Sequence, residues 1–126
     1  MNSSIISLKN AVVYQKMNLV LSNVNLDIKE GEFVYLIGKV GSGKTSLLKT
    51  IYAELPLKEG EGLVAGYDLC SLKKNEVSFL RRKIGMVFQD FQLLPDRNVF
   101  DNLALVLSAT GWKDKIKIKN RTHEVL

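Results

Sequence analysis

Residues 33–51 read FVYLIGKVGSGKTSLLKTI, three signals with no gap between them. Phe33 to Ile37 is continuously apolar, as a central strand covered on both faces should be. Gly38, Gly43, Lys44 and Thr45 then fit G-x-x-x-x-G-K-[ST]. From Lys44 the run KTSLLKTIYAEL sets Leu47, Leu48, Ile51 and Leu55 on one helical face. Strand, glycine loop and helix in this order predict a phosphate cradle. Glycines let the backbone curl until successive amide hydrogens point inward. The helix aims its free N-terminal amides at the same anion. Lys44 sets a positive charge on β- and γ-phosphates, and the Thr45 hydroxyl is placed to ligate Mg²⁺. Gly41 adds a flexible point, and Lys39 a further cation that either raises the local potential or simply faces solvent. The dinucleotide pattern G-x-G-x-x-G is absent at this site.

Upstream, ISLKNAVVY and LVLSNVNLDI (Leu19 to Ile28) alternate as half-buried antiparallel strands, and KEGE (Lys29 to Glu32) is a turn. Downstream, Pro56 and the glycines of Lys58 to Gly62 stop the helix. LVAGYDL reads as a short strand and turn, and SLKKNEVSFLRR as a short helix capped by Ser71. Ile84 to Phe88 (IGMVF) is a second continuously apolar run, expected as a buried strand ending on Gln89 and Asp90. QLLPD forms a loop, and Val99 to Thr110 a helix with Val99, Leu103, Val106 and Leu107 on one side, broken by Gly111. The tail from Asp114 has a short Lys/Ile alternation but is expected as helix.

The 126 residues make one domain at most, or part of a larger one. The formal net charge of +5, from 18 basic and 13 acidic residues, suits nucleic acid, an anionic membrane surface or a phosphate ligand about equally. A single cysteine, Cys70, excludes an internal disulfide and a thiolate metal cluster, and its expected role is packing. No apolar run has membrane-spanning length and the N-terminus lacks a signal-peptide core, so the chain reads as cytoplasmic. The basic run Lys113, Lys115, Lys117, Lys119 and Arg121 has only Trp112 as an aromatic neighbour, and reads as a solvated face rather than a nucleic-acid surface. Arg81, Arg82 and Lys83 read as a solvated helix end, or as a contact for a membrane protein or lipid headgroup. Phe91, Leu93 and Leu94 read either as core or as a docking site for a partner's helix.

With these surroundings, the loop resembles the ATP-binding subunit of an ABC transporter. The resemblance implies an α/β P-loop NTPase of the ABC ATPase type, with an N-terminal antiparallel β section and a parallel core sheet. It covers residues 1–126 as a partial nucleotide-binding domain whose C-terminal portion is missing. It implies ATP and Mg²⁺ as ligands, with Gly38, Lys39, Val40, Gly41, Ser42, Gly43, Lys44, Thr45 and Ser46 around the phosphates. Tyr14 is the candidate for the aromatic that stacks on adenine, its alternative being sheet packing. Gln89, in MVFQDFQLLPDRNVFDNL (Met86 to Leu103), matches the family glutamine that reaches Mg²⁺ and the attacking water. Lys44 and Gln89 are therefore the catalytic candidates, and Thr45 and Gln89 the metal ligands. The segment after Gln89 would face an integral membrane subunit, at the cytoplasmic face of the bacterial inner membrane.

Within the family, LLPDRNV most closely resembles the bacterial cell-division ATP-binding proteins. Lipoprotein-releasing and macrolide-export ATPases share the phenylalanine–glutamine and leucine–proline pattern, but usually not Asp96–Arg97. The LSGGQ-type signature, the Mg²⁺-binding aspartate strand, the neighbouring glutamate and the switch histidine are not in this sequence; His123, on the tail, reads as a surface residue. Leu126 thus reads as an artificial end. The complete protein is expected to hydrolyse ATP as a homodimer, and the 126-residue chain to bind ATP without turnover and to leave apolar surface uncovered. If Leu126 is instead the natural end, the alternative is a non-enzymatic, nucleotide-dependent interaction module.

Overall fold

The computed structural model describes residues 3–126, which divide into two compact units meeting between Gly85 and Met86. In the first unit, β1 (Ser4–Gln15) and β2 (Asn18–Lys29) form a long antiparallel hairpin. β3 (Glu59–Val64) pairs with the other edge of β1, and β4 (Tyr67–Asp68) closes a four-stranded sheet in the order β2-β1-β3-β4. Every pairing is antiparallel. The inward residues of β1, Leu8, Ala11 and Val13, join Val64, Leu57 and Leu69 in the core. Helix α1 (Lys44–Ile51) contributes Leu47 and Ile51 to that core, and α2 (Val77–Arg82) contributes Leu80.

The two continuous apolar runs differ from expectation. Neither Phe33–Ile37 nor Ile84–Phe88 is a strand, and no described segment offers them a ladder. Phe33 and Ile37 are 82% and 89% exposed, and Val87 is 90% exposed. Apolarity on both faces encodes a wish for burial, but a parallel strand exists only beside partners that accept its backbone bonds. Lys58–Gly62, read in the sequence only as a helix stop, is largely strand, because β1 supplies the ladder that composition hides. Helix α1 is also shorter than expected: Leu48 is solvent-facing and Leu55 lies beyond the helix.

Its end is set by Ala53, which takes a left-handed φ of 61°. The Ala53 N–H bonds Thr50 O (3.1 Å) and the Glu54 N–H bonds Lys49 O (2.8 Å), a Schellman arrangement built without glycine. Arg81 finishes this helix end. Its Nε donates to Tyr52 O (3.1 Å), its Nη2 to Ala53 O (3.3 Å), and its guanidinium lies 4.6 Å from the Tyr52 ring centre. Arg82 and Lys83 are exposed at this helix end, as expected, and lie over the rings of Phe79 and Tyr67. Ser71 caps nothing: α2 starts later, at Val77, behind a turn in which the Lys73 N–H bonds the Glu76 carboxylate.

In the second unit, α3 (Val99–Ala109) and α4 (Lys115–Val125) appear where the sequence places them. The Asn98 side chain caps α3 by accepting from Asp101 N–H (2.7 Å), and Asp114 caps α4 by accepting from Ile116 and Lys117. Gly111 ends α3 with the same pair of bonds seen after α1, Gly111 N–H to Ser108 O and Trp112 N–H to Leu107 O. None of α3's side chains is buried, and Val99 and Val106 are largely exposed. No described helix is long and apolar enough to cross a membrane.

Two helix ends of one geometry, one on alanine and one on glycine, set an internal comparison. Ala53→Gly is expected to stabilise its unit by about 0.5–1 kcal/mol, and Gly111→Ala to cost about 1 kcal/mol, as read from urea unfolding. A destabilising Ala53→Gly would contradict the left-handed assignment.

Candidate functional site

The Gly38–Ser46 loop closes on itself through Lys44. Its ammonium donates to Gly38 O (2.5 Å) and Lys39 O (2.8 Å) and reaches Ser42 Oγ at 3.4 Å. The Ser42 N–H bonds Lys39 O (3.1 Å), which tightens the turn through Val40 and Gly41. The helical ladder opens with Leu47 N–H to Gly43 O (2.9 Å), so the amides of Lys44, Thr45 and Ser46 precede it at the positive end of α1. Ser46 is buried, while Thr45 is exposed with its hydroxyl at the second helical position.

Gly43 couples this loop to the sheet. Its φ is 102°, and a Cβ there would come within 2.8 Å of Val20 Cγ1 and 3.0 Å of Leu21 Cγ on β2. At Gly38 a Cβ would meet Ser42 Oγ at 2.6 Å and Lys44 Cδ at 3.6 Å, so a side chain at that position would press on Ser42 and Lys44, whereas Gly41 faces open space. A bare-backbone turn, unladdered helix amides and one lysine folded across them form a donor set suited to a polyphosphate, with the exposed Thr45 hydroxyl beside it for a hard cation.

Tyr14 stands on the same hairpin that meets Gly43. It pairs with Leu19, the neighbour of Val20, and its phenol donates to Glu59 Oε1 (2.9 Å). That bond, with partial desolvation and the carboxylate's charge, raises the phenol pKa above its ordinary value. Glu54 pairs with Lys49 at 3.7 Å. Cys70 is exposed rather than packed in the core; its thiol donates to Gly60 O (3.2 Å), and desolvation first, then the Asp68 charge, push its pKa up, away from reactivity.

Gln89 belongs to the second unit, in an exposed turn. The next residues, Phe91 and Gln92, take φ of 59° and 49°, and Phe91 and Leu93 are mostly exposed rather than core. The expected loop after them is held by Asn102, which sequence reasoning passed over. Its amide nitrogen donates to Leu94 O (3.1 Å), Arg97 O (3.1 Å) and Asn98 O (2.9 Å), and its oxygen accepts the Leu94 N–H (2.8 Å). With Arg97 N–H on Leu94 O, these bonds fix Leu94–Pro95–Asp96–Arg97 as a turn. The only sequence trace of this is an asparagine one helical turn beyond the Asn98 cap. His123, exposed on α4 as expected, lies 5.3 Å from the Phe100 ring centre.

Residues 21–126 match the family described as ABC transporter. The chain belongs to the ABC transporter family. It is 37% identical over 124 residues to the cell division ATP-binding protein FtsE of Streptococcus pneumoniae (strain D39), covering 98% of this chain and 54% of that protein. It is 42% identical over 123 residues to the methionine import ATP-binding protein MetN of Helicobacter pylori (strain J99), covering 97% of this chain and 37% of that protein. A solved dimeric ATP-binding cassette, MJ0796 bound to ADP and Pi, superposes with a TM-score of 0.82 at 36% identity, over 94% of this chain and 54% of that one. The chain thus spans about half the length, or less, of the curated relatives it matches. FtsE and MetN proteins match at comparable identity, so the chain is an ABC-family ATP-binding segment that is not singled out as a cell-division one.

Two variants test the geometry of this ABC-family segment. Gly43→Ala adds a clash with β2 to an unfavourable backbone angle and is expected to cost about 2–3 kcal/mol in urea unfolding. Asn102→Ala is expected to cost about 1–2 kcal/mol and to speed hydrogen exchange at the Leu94 amide; unchanged Leu94 protection would exclude Asn102 as its acceptor.

Proposed function

We propose that this chain is the phosphate-binding part of an ATP-binding subunit in an ABC-type membrane complex, and that the whole protein couples Mg·ATP binding and hydrolysis to an integral membrane partner. The observation that carries this is the Lys44 ammonium lying across loop carbonyls at the unladdered start of α1. Binding exchanges those carbonyls for β- and γ-phosphate oxygens, while the amides of Lys44, Thr45 and Ser46 take the remaining acceptors. Thr45 would hold Mg²⁺, which when bound neutralises charge on the β- and γ-oxygens, and the match of Gln89 to the family glutamine supports it as a further ligand in the whole protein. Tyr14 stacks on adenine.

In the whole protein, residues 33–37 and 84–88 are strands of a parallel core sheet. The exposed apolar side chains of residues 33–37 and of Val87, with the greater length of the relatives, support this. Residues 1–126 are then one part of a single nucleotide-binding domain that works as a homodimer on the cytoplasmic face of the bacterial inner membrane. Such pairing is described for the dimeric MJ0796 cassette. The 126-residue chain by itself binds ATP without turnover, because its sequence offers no apolar strand ending in an aspartate with a neighbouring glutamate to orient water. The exposed Phe91 and Leu93, ahead of the turn pinned by Asn102, form the contact with the membrane subunit, and Asp96–Arg97 favour the division complex over an importer.

In an equilibrium titration Lys44→Ala is expected to lose tight Mg·ATP binding, by more than about 100-fold. Equal binding by variant and parent would sink the assignment, and Lys44-dependent steady turnover by the 126-residue chain would overturn the binding-only statement. Photo-crosslinking from Leu93 in cells, read by mass spectrometry, is expected to capture a division-complex membrane subunit; capture of an import permease would replace the division role.

A further inference from the structure

We infer that Glu59 is a positioning residue that holds the Tyr14 ring as a preset platform for the adenine base. This assignment deepens the nucleotide-binding role proposed above and rests on it.

Tyr14 and Glu59 are 45 residues apart, yet the phenol donates to the carboxylate at 2.9 Å. Their meeting is built by the sheet. Ala11 and Val13 point into the core, which turns Val12 and Tyr14 to the opposite face of β1. Glu59 opens β3 directly opposite Val12, and so arrives beside Tyr14 on that face. Gly60 makes the approach close: its φ is 87°, and a Cβ would come within 2.3 Å of Asn10 O.

On its other side Tyr14 pairs with Leu19, next to the Val20 and Leu21 that lie against Gly43. The ring is therefore fixed between the strand that touches the phosphate loop and the strand that follows α1. A tyrosine ring has a broad terminal torsion, and a charge-assisted bond from its hydroxyl narrows it. A ring already held in place loses less freedom when a flat base stacks on it, which favours adenine nucleotides without touching the phosphates.

The test compares ATP with inorganic tripolyphosphate, which lacks the base, both with Mg²⁺, on the full chain. Glu59→Ala and Tyr14→Phe are each expected to weaken ATP about three- to ten-fold, with tripolyphosphate binding not weakened. The double variant should be no weaker than either single one, and Glu59→Gln, which keeps an acceptor, should recover part of the loss. Glu59→Ala binding ATP like the parent would overturn the role, as would equal losses for ATP and tripolyphosphate, which would mark a merely structural residue. Tyr14→Ala separates the two levels. If it loses ATP selectively while Glu59→Ala does not, the adenine platform stands and the positioning role falls; if it loses nothing, both fall, while Lys44→Ala still reports on the phosphate site.

Discussion

The first unit depends on how closely the end of a loop can approach a strand. Helix α1 can lay Leu47 and Ile51 onto the core face of the sheet only if its first turn starts hard against β2, and Gly43 is the residue that allows it. Any side chain there would meet Val20 or Leu21 and push the helix start outward. The same contact determines where the loop's amides and Lys44 gather, so packing and anion binding share one constraint. The core is correspondingly small: three residues of β1, two of α1, and single contributions from β3, its flanking segments and α2.

The second unit is held differently. Its helices fully bury no apolar side chain, only Thr122, and much of its order comes from backbone groups satisfied by side chains. Asn98 and Asp114 occupy orphan amides at the two helix starts, and Asn102 occupies carbonyls and one amide of the preceding turn. A segment so ordered keeps its apolar side chains outward, which is the state of Phe91, Leu93, Val99 and Val106. Polar groups thus set its shape while its hydrophobic surface stays available for contact.

Much of the candidate site was legible because it is local. The phosphate loop, the start of the helix after it and the stop at Gly111 all lie within a few residues of their partners, and the residue types carry the geometry; the caps at Asn98 and Asp114, equally local, were passed over in favour of Ser71, which caps nothing. Illegible were the bonds between distant segments. Nothing in the neighbourhood of Glu59 marks it as the acceptor for Tyr14, and nothing near Arg81 marks it as the finish of a helix that ends at Ile51. The end of α1 was missed for a related reason. Ala53 adopts an angle that alanine disfavours, and only two backbone bonds together with Arg81 hold it there.

By itself the sequence determined the phosphate-loop pattern, its place between an apolar run and an amphipathic helix, the antiparallel hairpin ahead of it and the two terminal helices. These follow from side-chain period and glycine placement, both short-range properties. Tertiary structure alone decided which apolar runs become strands, because a strand is a relation between segments and not a property of one. It made a strand of the glycine-rich Glu59–Val64, which β1 pairs, and left the far more apolar Phe33–Ile37 with no ladder among the described residues. Hydrogen-bonding partners, not hydrophobicity, drew that line.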